Sequence, residues 1–102
     1  MGKAKTDKAP ARVALPADCR IAELPAVKEA LRGALAAPDA ALDGGAVERV
    51  DTAALQLLAV FRREAAARGV AVAWLGASAA LREGAARLGL EQTLELPAAT
   101  PA

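Results

Sequence analysis

Two neighbouring side chains, Asp51 and Thr52, are the ones best placed by type and spacing to do chemistry. They stand between a β-like segment, Val47-Glu48-Arg49-Val50, and the start of an amphipathic helical pattern, Ala53-Ala54-Leu55-Gln56-Leu57-Leu58. At such a junction an acid or hydroxyl oxygen accepts hydrogen bonds from first-turn N–H groups that have no partner inside the helix. Capping is therefore the plain structural use of the pair. A hydroxyl in the first turn also lies beside the positive end of the helix dipole, where a phosphate ester is stabilised. The pair predicts a division of labour in which Asp51 caps the helix and Thr52 stays accessible.

The remaining candidates offer less. No histidine occurs among the 102 residues, so the chain lacks the usual general base and the commonest metal ligand. That argues against an enzyme, and no catalytic residue, metal site or cofactor is expected. Cys19 lies in phase with Ile21 in an alternating segment, which makes it a small core-facing residue, and as the single cysteine it cannot form an internal disulfide. Gly44-Gly45 reads as a turn, because a phosphate-binding loop needs a Lys and a hydroxyl after spaced glycines, and no such run occurs.

Composition narrows the class further. Hydrophobic residues make up 55% of the chain against 25% charged, which excludes disorder, and with one Phe, one Trp and no Tyr the core must be aliphatic. A net charge of +1 with both signs interspersed, and no set of aromatic stacking platforms, argues against nucleic acid as a partner. No apolar run approaches the roughly 18 residues needed to span a bilayer, and the N-terminus lacks an apolar signal segment. A single cytoplasmic domain without membrane insertion is expected.

The elements that position Asp51 and Thr52 follow from periodicity. Residues 1–10, with Lys3, Lys5 and Lys8, read as a disordered basic tail; 11–97 as the domain; and 98–102 as a second disordered tail. Val13 and Leu15, a Pro16-Ala17-Asp18 turn, then Cys19 and Ile21, predict a short hairpin. Pro25 opens a helix with Val27, Leu31, Ala34 and Leu35 on one face, running to about Ala36, and Ala40-Ala41-Leu42 reads as a buried strand. After Thr52, the residues Ala54, Leu58, Phe61 and Ala65 share a helix face that ends at Gly69, with Gln56, Arg63 and Glu64 off it. Val70 to Leu75 is apolar on both faces, as for a central parallel strand, with Trp74 in the core. Ser78 caps a third helix whose stripe is Leu81, Ala85 and Leu88, weakened by Gly84 and closed by Gly89. Leu94 and Leu96 alternate as in an edge strand. The predicted order is β-β-α-β-α-β-α-β, one hairpin plus right-handed crossovers.

These residues suggest a family. Leu42-Asp43, Val47, Val50, Asp51-Thr52 and Leu55, followed by a helix, Gly69, an apolar strand and Ser78 to Leu90, resemble the STAS domain of the anti-sigma factor antagonists over about residues 11–97. The resemblance implies an α/β fold with a mixed β-sheet of four to five strands and helices packed largely on one face. It implies a non-enzymatic protein–protein interaction switch, in which the hydroxyl matching Thr52 is phosphorylated by a partner kinase that doubles as an anti-sigma factor. Asp51, Thr52, Ala53 and Gln56 would then form the partner-binding surface. The family motif usually continues with Gly where this chain has Ala54. The same pair is similar to the STAS subunit of a phospholipid-transport ABC system, where it contacts the ATPase subunit, and to STAS proteins found with chemotaxis genes. Those versions imply a constitutive adaptor, with an ABC transporter ATPase subunit or a chemotaxis component as partner.

Overall fold

A computed structural model describes residues 11–97, and both expected tails lie outside the described residues. The elements are β1 (Ala11–Ala14), β2 (Asp18–Cys19), a 3-10 turn (Ile21–Glu23), α1 (Leu24–Ala34), β3 (Asp39–Gly44), β4 (Arg49–Val50), α2 (Thr52–Arg68), β5 (Ala71–Ala77), α3 (Ala79–Leu88) and α4 (Glu91–Leu94). Helix boundaries follow local chemistry. Pro25 sits in the first turn of α1, where its missing N–H costs nothing. Gly69 and Gly89 end α2 and α3 in the left-handed region, at φ 75° and 69°, which a side chain would resist.

β1, β3 and β5 form one parallel sheet in that order, and β2 pairs with β4 in a separate parallel ladder. Val13, Leu42 and Trp74 lie in register across the sheet. The first two join a single core with Val27 and Leu31 from α1, Leu55, Leu58 and Phe61 from α2, and Leu81 from α3. Arg12, Ala14, Ala71 and Ala73 point away from it and are exposed. The expected α/β class, with helices on one side, therefore stands.

Several details differ from expectation. The hairpin is absent: β1 and β2 pair with different strands, and the Leu15 N–H continues along β3 to the Asp43 carbonyl at 2.9 Å. Alternation specifies which face a strand buries but not which strand lies beside it. All strand pairs among the described residues are parallel, divided three and two. β5 is an edge strand rather than a central one; Trp74 is only half-buried and Leu88 is exposed. Leu94 is fully buried as expected of a core residue, but on the short helix α4, because the N–H groups of Leu94 and Glu95 bond back to Leu90 and Glu91, both at 2.9 Å.

That C-terminal turn covers the free edge of β5, which an unpaired strand requires. The Ala71 N–H donates to the Pro38 carbonyl, so the Val72 carbonyl points away from β3; it accepts from Arg62 Nη1 at 3.3 Å. Arg62 also pairs with Glu95 at 2.7 Å, and Trp74 Nε1 donates to the Leu94 carbonyl at 2.8 Å.

Candidate functional site

The β2–β4 ladder builds the site. Asp18 faces Arg49 and Cys19 faces Val50, so Arg20 and Ile21 leave β2 just where the chain turns from β4 into α2. Asp51 is extended there, at φ −120° and ψ 176°, and both of its carboxylate oxygens are used. Oδ1 accepts from the Ala54 N–H at 3.0 Å, capping α2, and Oδ2 accepts from the Ile21 N–H at 2.9 Å. One side chain thus ties the start of the helix to a turn 30 residues earlier. Thr52 opens the first turn of α2 and is exposed; Ala53 is half-buried and Gln56, a turn later, is exposed. The structure brings the four sequence-predicted residues together at one end of α2.

The charges around this corner are ordered. Arg20 grips Asp18 through Nε to Oδ1 at 2.6 Å and Nη2 to Oδ2 at 3.0 Å. The Arg20 hydrogen bond, above all, holds the Asp18 carboxyl below its ordinary range, and the same bond raises the Arg20 guanidinium. Cys19 is fully buried between them, and burial, followed by the charges of Asp51 and Asp18, pushes its thiol up. A thiol so placed stays protonated and is a core residue, not a nucleophile.

α3 lies close against the β4–α2 junction because Gly84 has no side chain. A Cβ there would stand 3.0 Å from Val50 Cγ1 and 3.2 Å from Leu55 Cδ1. The helix-weakening glycine therefore has a packing use that local propensity does not reveal. Between α3 and β4 runs a cleft of about 340 Å³, with Arg20, Arg49 and Arg87 on its walls beside Glu48 and Glu83. Sequence reasoning missed Arg20 and Ile21, whose place beside Asp51 depends on the β2–β4 pairing. Ile21, 67% exposed, is the most exposed large apolar side chain among the described residues.

Chemically, the corner offers one accessible hydroxyl at Thr52. Among the described residues no group of three or more acidic, Cys or His side chains could hold a metal ion. A family model described as "Mlab, STAS domain" matches residues 3–97. The chain belongs to the STAS domain family. No curated protein and no solved structure gives a significant match. STAS domains are generally non-enzymatic and act through protein–protein contacts, and membership supports a general protein-interaction role. No helix among the described residues of this STAS domain is long and apolar enough to cross a membrane.

Proposed function

We propose that this STAS domain is a cytoplasmic protein–protein interaction switch, acting as an anti-sigma factor antagonist controlled by phosphorylation of Thr52 by a partner kinase. The observation that carries the reading is the division of labour at the helix start: Asp51 makes the cap, leaving Thr52 exposed. The kinase would transfer the terminal phosphoryl group of ATP to Thr52 Oγ1, with loss of the hydroxyl proton and release of ADP. The ester brings about −1.5 to −2 charges into a surface formed by Asp51, Thr52, Ala53 and Gln56. Setting that charge against a partner shaped for a neutral hydroxyl costs on the order of several kcal/mol, and 3 kcal/mol already exceeds a hundredfold in affinity.

The test begins with a pull-down on the tagged chain in its native cell, with phosphopeptide mapping, and proceeds to calorimetry with the purified partner. Unmodified protein and Thr52→Ala should bind; Thr52→Glu and the phosphorylated form should release, with circular dichroism unchanged. Equal affinity in all four forms removes Thr52 from the interface. A second reading, a constitutive adaptor such as a transporter's STAS subunit or a chemotaxis-associated STAS protein, is favoured by one residue: Ala54, where the family motif resembled here usually has Gly, is buried under the cap. Tight binding to a transporter ATPase with no phosphate on Thr52 would select it.

A further inference from the structure

We propose that Arg20 is a latch for the phosphate on Thr52 and that Asp18 is the carboxylate from which it is drawn. This rests on the reading of Thr52 as a phosphorylation site and adds how the modified state is held. The Ile21 N–H is bonded to the Asp51 carboxylate, so Arg20, one residue before Ile21, and Thr52, one residue after Asp51, flank the same hydrogen bond. The charge of Asp51 already acts on the Arg20 guanidinium.

Phosphorylation poses an electrostatic problem that the corner must solve. The new dianion would adjoin the Asp51 carboxylate, which is held in place by two N–H groups, and a cation beside the pair would relieve the repulsion that the helix dipole offsets only in part. The charged groups on the elements adjoining the corner are Asp18 and Arg20 from β2 and its turn, Glu48 and Arg49 from β4, and, across the neighbouring cleft, Glu83 and Arg87 from α3. Arg20 is the cation whose next residue, Ile21, is bonded to Asp51. Its present partner is cheap to give up: the side chains of Arg20 and Asp18 are 47% and 49% exposed, and exposed ion pairs contribute little. A phosphate outcompetes a carboxylate for a guanidinium, having more charge and three oxygens for the same two-pronged donor.

The experiment uses the full chain with phosphothreonine installed at position 52 during synthesis, titrated by phosphorus NMR. The second ionisation of a phosphate ester, ordinarily near pH ~6, should fall in the folded protein. Arg20→Gln should return it upward by about half a unit or more. Asp18→Asn should move it the opposite way, further down, because Arg20 is no longer shared, and Arg20→Lys, which keeps the charge but not the two-pronged contact, should raise it part of the way; the field of the two charges alone would leave Arg20→Lys at the parent value. Arg63→Gln, on the far part of α2, should leave it unchanged, and far-ultraviolet circular dichroism should match throughout. The same ionisation in the parent and in Arg20→Gln or Arg20→Lys, or shifts of one sign in Arg20→Gln and Asp18→Asn, would overturn the latch. That result would leave Thr52 as a switch, whereas absence of the phosphopeptide in cells would remove the switch itself.

Discussion

The starts of α2 and α3 are built from the same device and used differently. Ser78 Oγ accepts from the Leu81 N–H at 3.1 Å, as Asp51 Oδ1 accepts from Ala54 at 3.0 Å. The Ser78 hydroxyl is half-buried and makes that bond itself. At α2 the capping residue has a second oxygen, which binds Ile21 from a separate segment, and the next residue presents an exposed hydroxyl. The contrast teaches that a cap says nothing about function. What counts is the polar group left over once the helix N–H groups are satisfied.

The largest expected effects test whether the two helices are equally anchored behind their caps. Leu58 on α2 and Leu81 on α3 are both fully buried, so replacing either by Ala should cost about 2–5 kcal/mol in a denaturant melt. A loss below about 1 kcal/mol at one of them would show that its helix is held by its ends rather than by the core.

Next comes the ranking of the caps. Ser78→Ala removes one hydrogen bond and should cost about 1 kcal/mol. Asp51→Ala removes two, together with a favourable charge at the helix start, and should cost about 2 kcal/mol. If Ser78→Ala proves the costlier, the link to Ile21 adds nothing to stability. Thr52→Ala should stay within about 0.5 kcal/mol of the parent, the range of surface substitutions. A loss near that of Asp51→Ala would make Thr52 a structural residue and erase the contrast.

The smallest effect is a pH dependence special to the α2 side. Since the folded state lowers the Asp18 ionisation, its ion pair contributes stability above the ordinary carboxylate range, and that contribution is lost as pH falls through the lowered folded value. Asp18→Asn should therefore flatten the acid limb of the stability curve. An unchanged acid limb would mean that the Arg20 pair contributes nothing to folding.

How much of this was legible in the sequence depended on the range of the interaction. The path of α2 was readable because Asp51, the stripe Ala54, Leu58, Phe61 and Ala65, and Gly69 act within one helix. Cys19 is core as expected, but not through the alternation it was read from: β2 ends at Cys19, and Ile21, its partner in phase, is exposed on the turn that follows. The strand pairings were not readable, since Val13 and Leu15 alternate equally well beside any neighbour. Leu94 and Leu96 illustrate the same limit at shorter range: four residues fit either period, and backbone bonds to Leu90 and Glu91 decided for the helix. At the site, Asp51 and Thr52 announced themselves as a local motif. Arg20 and Ile21 did not, because their position beside Asp51 exists only once β2 has paired with β4.

The bond from Trp74 to the Leu94 carbonyl gives this chain an internal optical reporter. Trp74 is the sole tryptophan, so ultraviolet emission excited at long wavelength comes from one indole, whose N–H is committed to the C-terminal turn. Detachment of that turn, by truncation before Glu91 or by loss of the Arg62–Glu95 pair, would hand the indole N–H to water and move the emission to the red, while far-ultraviolet dichroism from α1, α2 and α3 held steady. The edge of β5 can thus be watched opening by fluorescence alone, with no label attached.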